Sequence, residues 1–192
     1  MPSKSILDPW QSFLSDIDVT LAEDVELHCL GGFVITVLYD LVRPTADVDV
    51  IAITPRNEIE PVMSLAGQGS ELHRKHKVYL QLVGVATVPD NYEGRLTEMF
   101  PGTFKHLRLL AFECYDLALS KLERNTQRDR DDVRHLARTV PFDLNVLHER
   151  YQKELRPYLG NPEREDLTLK LWIEAIQEER GSHYLTGEPT SP

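Results

Sequence analysis

The chain has 192 residues, of which 41% are hydrophobic, and this suffices for one main domain with a small helical appendage. Its formal net charge of −10 excludes a uniformly basic surface, so any contact with RNA or DNA must use a local basic patch. No apolar run approaches the roughly 18 residues of a membrane-spanning helix, and Met1 to Leu7 lacks the apolar stretch of a signal peptide. We therefore expect a cytoplasmic protein with no membrane partner.

The first half of the chain alternates predicted helices and strands. Apolar residues recur at helical spacing over about residues 9–22, which predicts a first helix. Val25–Leu30 alternates like a short strand, and a helix is predicted to begin at the Gly31-Gly32 pair that ends it. β-branched and apolar patterns predict further strands over Asp47–Thr54, Lys77–Val88 and Leu107–Phe112.

The second half of the chain is predicted to be helical. Helical periodicity covers Asp116–Arg138, and Asp143 is placed to cap a helix that runs to about Leu159. The order of the elements predicts an α/β (α+β) protein with a small mixed β-sheet, flanking helices and a C-terminal helical section. We expect a core with an N-terminal helix over 1–113, the helical section over 114–180 and a disordered tail over 181–192.

The most informative segment combines a glycine pair with two aspartates. Gly31 and Gly32 stand at a predicted strand-to-helix junction, where the backbone can approach a ligand and the helix N-terminus offers N–H groups to phosphate. Asp47 and Asp49 are two residues apart on a strand, so their side chains project on one face about 6.6 Å apart. Such a pair can hold Mg²⁺ between the protein and substrate phosphates.

These residues resemble the signature of the polymerase-β-type nucleotidyltransferase superfamily, a Gly-Gly or Gly-Ser turn, a helix, then Asp-x-Asp on the next strand. The Arg-x-Thr-x-Asp-x-Asp form resembles the abortive-infection (AbiEii-like) nucleotidyltransferases of bacterial toxin–antitoxin systems. The resemblance implies a nucleotidyltransferase core that uses Mg²⁺, and this core could hold one or two metal ions. It implies Asp47 and Asp49 as catalytic metal ligands and Gly31, Gly32, Arg43 and Thr45 as nucleotide-binding residues.

A second match lies downstream of the core. Those toxin-like proteins carry a helix with a lysine, followed by Arg-Asp-x-x-Asp and an apolar residue. Here the corresponding residues are Lys121 and the segment 128–133. On an unbroken helix, the residues that would share one mainly basic stripe are Lys121, Arg124, Arg128 and Asp132. The resemblance implies catalytic roles for Lys121 and Asp132 and nucleotide binding by Arg124 and Arg128, whereas the alternative is a solvated face of interleaved charges.

One departure from the superfamily pattern concerns catalysis. A third carboxylate usually stands on a later central strand, flanked by apolar residues, and this chain has Gln81 at the matching position. A glutamine side chain offers a neutral oxygen but cannot act as a general base. Asp132 is our candidate for the substitute acid.

We therefore expect a Mg²⁺-dependent nucleotidyltransferase that transfers a nucleotide from an NTP to an RNA, with tRNA among the candidates, or to a protein. As a component of a toxin–antitoxin system, it would have a cognate antitoxin as partner. One alternative is a catalytically impaired protein of the same fold that binds a nucleotide or a partner. Another is a small-molecule nucleotidyltransferase of the antibiotic-modifying type, which would need an acidic pocket for a cationic acceptor.

Overall fold

The computed structural model describes residues 7–43, 45–84 and 86–186, the last five of them by backbone alone. Its residue contacts divide the chain into two compact units. Unit 1 comprises the described residues up to Ala86 together with Asn91–Leu117. Unit 2 comprises Thr87–Asp90 and the described residues from Ala118 onward.

Unit 1 is built on a five-stranded mixed sheet, which confirms the predicted fold class. The strands are β1 (Val25–Leu30), β2 (Asp47–Thr54), β3 (Tyr79–Leu82), β4 (Thr97–Met99) and β5 (Leu107–Ala111), in the spatial order β3-β2-β1-β5-β4. β1 runs antiparallel to β2 and parallel to β5, while β3 is parallel to β2 and β4 antiparallel to β5. The sheet therefore brings the Asp47 end of β2 beside β3 and the Gly31 end of β1.

Helices surround this sheet in unit 1. They are α1 (Trp10–Asp18), α2 (Gly31–Tyr39), α3 (Ile59–Ala66), α4 (Glu71–His76) and the start of α5 (Cys114–Leu119). α1 packs against α3, α4 and β5, and α2 packs against β1 and β2. Short 3₁₀ turns cover Arg56–Glu58 and Tyr92–Arg95.

The two faces of the sheet differ in burial. One face carries fully buried apolar side chains, among them Leu27 and Cys29 of β1 and Val48 and Val50 of β2, and forms the core of unit 1. Because side chains alternate along a strand, Asp47 and Asp49 lie on the opposite face, which we call the site face. Burial of the alternate apolar residues fixes which face the aspartates occupy, since a one-residue slip would bury both carboxylates.

Unit 2 is helical in its described residues apart from turns and the Thr87–Asp90 segment. Its helices are α6 (Gln127–Thr139), α7 (Leu144–Arg150) and α8 (Pro162–Thr186); a π-helical turn, Tyr151–Leu155, and a 3₁₀ turn, Arg156–Tyr158, follow α7. The Asp143 carboxylate accepts a hydrogen bond from the Asn145 backbone N–H at 2.8 Å, as expected of a cap. No helix in the described part of the chain is long and apolar enough to cross a membrane.

The predicted unbroken helix over Asp116–Arg138 is wrong. α5 ends at Leu119, a turn follows, and α6 begins at Gln127. Asn125 adopts a left-handed conformation with φ 44°, and Thr126 begins α6 with a capping box to Asp129. Such a reciprocal pair satisfies free N–H groups at a helix start, so the Thr-x-x-Asp pattern starts a new helix here.

Other predicted bounds also differ from the structure. α1 ends at Asp18 because the Asp18 carboxylate accepts hydrogen bonds from three backbone N–H groups at the start of β5. β3 begins two residues later than predicted because Lys77, at φ 63°, ends α4, and it stops before Gly84. β4 was not predicted. α8 runs on to Thr186, so residues 181–186 are helical where we expected disorder, and 187–192 lie outside the described residues.

Candidate active site

The two aspartates share one face at the start of β2. In the sheet, Asp47 lies in register with Tyr79 and Asp49 with Gln81, both on β3. In register, neighbouring side chains of a parallel pair project to the same side. Both aspartates are half-buried. The structure therefore places two carboxylates together on the site face, partly open to solvent.

The glycine turn lies directly against Asp49. Leu30, the residue before the turn, is the register partner of Asp49 across the β1–β2 pair. Gly31 has φ +77°, and a Cβ placed on it would lie 2.0 Å from Asp49 Oδ2. Only a glycine leaves that space open and adopts that backbone conformation without strain. The Asp49 carboxylate thus packs directly against Gly31 at the N-terminus of α2, where any other residue would collide with it.

The loop before β2 supports the first aspartate. The Thr45 hydroxyl donates a hydrogen bond to Asp47 Oδ1 and lies 3.4 Å from the Asp47 carbonyl oxygen. The Arg43 carbonyl accepts a hydrogen bond of 3.4 Å from the Thr36 hydroxyl of α2, which fastens the loop to that helix. Gly32 is buried inside the first turn of α2. Five of the predicted site residues thus lie in one continuous part of unit 1 with Asp49: Gly31, Gly32, Arg43, Thr45 and Asp47.

Comparison with known families shows which family this chain belongs to. Residues 13–180 match the family DUF6036, which is described as a nucleotidyltransferase of unknown function. The chain belongs to this nucleotidyltransferase family. The searches of curated proteins and of solved structures found no match. The DUF6036 match spans both units, so the family includes the helical section as well as the sheet.

Gln81 is the residue that the resemblance to the polymerase-β-type superfamily aligns with a third carboxylate. Gln81 is the register partner of Asp49, and its side chain is exposed on the edge strand β3. Among the described residues, no group of three or more His, Cys, Asp or Glu side chains is arranged to hold a metal ion. The carboxylates at the head of β2 are therefore two, with a neutral amide beside them.

The site face also carries a histidine that the sequence reasoning did not single out. His28 of β1 is 7% exposed, and its Nδ1 lies 3.3 Å from the Tyr92 hydroxyl, with the two rings packed edge to face. Burial lowers the pKa of His28, since it disfavours the charged form. The alternation of β1 could have found it, because His28 is two residues before Leu30 and so shares its face.

The remaining predicted residues lie in unit 2, where Lys121, Arg124 and Asp132 form a charged cluster with Asp129. Lys121 is 3% exposed, and its Nζ lies 2.8 Å from Asp132 Oδ2 and 3.7 Å from Asp129 Oδ1. Arg124 donates two hydrogen bonds, of 2.9 and 2.6 Å, to the Asp129 carboxylate. Arg128 is exposed on α6. The break at Asn125 means that these residues do not form a stripe on one helix, yet folding still brings Lys121 and Asp132 into contact.

Asp129 is a buried acid of this cluster with a lowered pKa. Burial by itself would raise the pKa of Asp129, but hydrogen bonds from Arg124 and Thr126, together with the Lys121 charge, lower it to about 2. The carboxylate therefore stays ionised although Asp129 is fully buried. Buried ion pairs of this kind require every charge to keep its partner, so the cluster holds the start of α6 to the preceding turn.

Proposed function

We propose that this protein transfers a nucleotide from an NTP to an acceptor hydroxyl in a Mg²⁺-dependent reaction, with Asp47 and Asp49 as the metal ligands. The observation that carries the proposal is the packing of the Asp49 carboxylate against Gly31, because it places one of the two carboxylates at the N-terminus of α2, where backbone N–H groups suit phosphate. Membership of the nucleotidyltransferase family supports the same reaction class.

The residues at the head of β2 suit a hard divalent cation. Mg²⁺ is commonly bound by one or two carboxylates, with substrate phosphates and water completing its shell. Asp47 and Asp49 would hold it, and it would supply charge neutralisation to the triphosphate. The Thr45 hydrogen bond restrains the Asp47 carboxylate before any substrate arrives, so less ordering is required when the nucleotide binds.

The rest of the chemistry is positioning. The N–H groups at the start of α2 would hold the phosphates beside Asp49, and the acceptor hydroxyl would attack the α-phosphorus in line with the departing pyrophosphate. We also propose that Arg128 and Lys121 balance phosphate charge. Asp132, our proposed substitute acid, would have to act from its buried pair with Lys121.

The decisive experiment is a label-transfer assay on the full chain. Each of the four NTPs, labelled at the α-phosphate, is incubated with Mg²⁺ and either total cell RNA or a protein lysate. We expect transfer by the wild type, none after chelation of Mg²⁺, and none by Asp47→Asn/Asp49→Asn. The matched control is Asp24→Asn, an exposed carboxylate before the opposite end of β1. Transfer that survives in the double variant would remove the metal assignment.

Metal binding provides a readout that does not need turnover. The wild type should bind Mg²⁺ or Mn²⁺ in calorimetry, and the double variant should not. The variant should also be at least as stable as the wild type without metal, because two like charges have been removed from one face. Weaker stability with unchanged metal binding would mean that the pair is structural.

A second function is favoured by Gln81 beside Asp49. In this alternative the protein binds a nucleotide or a protein partner and has lost turnover with the third carboxylate. Gln81→Glu tests it, since the substitution restores an acid of nearly the same shape at the register position of Asp49. If the wild type binds NTP without transfer and Gln81→Glu transfers label, the alternative is right.

A small DNA-binding antitoxin encoded beside this gene would support the toxin role.

A further inference from the structure

A run of five basic residues ends α4 and precedes β3 in this acidic chain. The run is His73-Arg74-Lys75-His76-Lys77, and we call it the basic segment. We propose that the basic segment and Tyr79 bind single-stranded RNA, and that RNA is the acceptor of the transfer. This inference rests on the proposed function, since it names the acceptor of the same site.

Tyr79 connects the basic segment to the aspartates. It is the register partner of Asp47, so it lies on the strand next to the carboxylate pair. Its ring is half-buried, and the His73 ring packs against it with centroids 4.8 Å apart. The Gly69 backbone N–H donates a hydrogen bond of 2.9 Å to His73 Nδ1, which fixes that ring. Two partly exposed rings thus stand at fixed positions beside the site.

The geometry of in-line displacement indicates that the acceptor, and not the triphosphate, contacts the basic segment and Tyr79. The attacking and leaving oxygens lie on opposite sides of the phosphorus. The Gly31 turn flanks the aspartates on the β1 side, and β3 flanks them on the other. If the triphosphate binds at the Gly31 turn, the acceptor approaches over β3, where Tyr79 and Gln81 are the nearest side chains of the strand.

The chemistry of that side matches a nucleic acid. Aromatic side chains stack on bases without regard to sequence, and Lys and Arg bind the backbone phosphates. Arg74, Lys75 and Lys77 are exposed. Lys75 is 60% exposed and forms an ion pair with Asp16, an exposed pair that phosphate can replace at little cost.

The basic residues of unit 2 are engaged differently. Lys121 is buried with Asp132, Arg124 binds Asp129, and the Arg138 guanidinium lies 2.9 Å from Glu179. The carboxylates that hold Lys121 and Arg124 are buried, so these two pairs cannot be exchanged for phosphate as the exposed Lys75–Asp16 pair can. The basic segment therefore fits the local patch that RNA binding requires better than Lys121 and Arg124 do.

The step itself balances. The oxygen of a terminal ribose hydroxyl forms a bond to the α-phosphorus of the NTP, and the bond from that phosphorus to the bridging oxygen of the β-phosphate breaks. Pyrophosphate leaves with the bonding electron pair, and the hydroxyl proton passes to water. The RNA becomes one nucleotide longer, with no oxidant or reductant involved.

RNA binding without NTP tests the surface separately from turnover. The probe is a fluorescent single strand of about 12 nucleotides, with anisotropy measured on the full chain. We expect Tyr79→Ala to weaken binding about tenfold or more and Tyr79→Phe to stay within about twofold, because phenylalanine keeps the ring. Lys77→Glu should also weaken binding several-fold. Arg56→Glu, the same change at the far end of β2, should leave it unchanged.

The outcomes separate this inference from the proposed function. Binding by Tyr79→Ala and Lys77→Glu equal to that of Arg56→Glu would overturn the inference, as would label transfer to protein in place of RNA. RNA binding that depends on the basic segment and Tyr79, with no transfer from any NTP, would overturn the transferase function and still support RNA binding at this surface. Thermal unfolding of each variant, with Tyr79→Leu as a second truncation, excludes misfolding as the cause.

Discussion

The contact between Gly31 and Asp49 joins the glycine turn to the aspartate strand at the level of single atoms. A Cβ on Gly31 would lie 2.0 Å from Asp49 Oδ2 and 2.9 Å from its Cγ. Backbone conformation and space both require a glycine here, because φ is +77° and the gap is smaller than a methyl group. This one position therefore controls the placement of a proposed metal ligand.

Gly31→Ala should lower the free energy of unfolding by about 1–3 kcal/mol and abolish transfer, since it combines left-handed strain with a collision. Chemical denaturation and the label assay measure the two effects. Gly94→Ala is the control, because no atom lies within 4 Å of its added Cβ. In an Asp49→Ala background the cost of Gly31→Ala should fall, because the colliding carboxylate is gone. Equal costs in both backgrounds would contradict the collision.

The Asp129 carboxylate should make stability depend on pH. Its folded pKa, about 2, lies below the ordinary 3.8, so the carboxylate contributes stability above about pH 4 that is lost as the pH falls toward 2. The contribution is on the order of 2 kcal/mol. Arg124→Ala should raise the pKa of Asp129, as measured by carbon NMR of the carboxyl group. Arg138→Ala, whose partner is Glu179, should not change it.

At the scale of elements, the start of α6 and the turn before it form one electrostatic assembly. Thr126 and Asp129 exchange capping hydrogen bonds, Arg124 reaches back to Asp129, and the buried Lys121 stands between Asp129 and Asp132. A helix start normally leaves N–H groups without partners. Here Thr126 and Asp129 bind the N–H groups at the start of α6, and the charges of Arg124 and Lys121 hold Asp129 in place. The start of α6 therefore depends on all four residues.

Lys121→Ala should lower the free energy of unfolding by about 3–5 kcal/mol, because it removes the buried cation that Asp129 and Asp132 share. Urea denaturation measures the loss. Lys170→Ala is the matched control, since Lys170 is 71% exposed, lies 3.8 Å from Glu174 and should contribute less than about 0.5 kcal/mol. A small effect at Lys121 together with lost NTP binding would instead identify a direct contact with nucleotide.

At the scale of the whole molecule, net charge limits how this protein can meet a polyanion. The chain carries −10 overall, so long-range forces repel RNA, and we expect the basic segment to supply the local attraction. An ordinary RNA-binding surface of many cations would bind tightly at low salt and lose most of its affinity as salt rises. A patch of three exposed Lys and Arg residues predicts a weaker dependence.

The logarithm of the RNA association constant should therefore fall with the logarithm of salt concentration with a slope of about −2, from three contacts of about 0.7 each. Anisotropy titrations over a range of NaCl measure it. Lys77→Glu should make the slope shallower by about 0.7, while Arg56→Glu should not alter it. A slope much steeper than −2 would show that other cations of the chain contact the RNA.

The sequence alone determined the parts of this protein that depend on local pattern. Alternation located β1 and β2 with their bounds, because burying one face of a strand fixes a period of two. The glycine pair and the Asp-x-Asp spacing identified the turn and the carboxylates, because both chemistries need particular residue types at particular spacings. The same segment predicted a nucleotidyltransferase, and the family match confirms that class.

Only the tertiary structure decided the features that join distant segments. The contact of Gly31 with Asp49 and the register of Tyr79 with Asp47 depend on how the strands pair, and no local pattern encodes that order. Periodicity predicted one helix across Asn125 because it depends on the spacing of apolar residues alone. It does not register the Thr126–Asp129 capping box that begins α6 there. The burial of Lys121 likewise follows from packing, since a lysine is the same in sequence whether it faces water or two buried carboxylates.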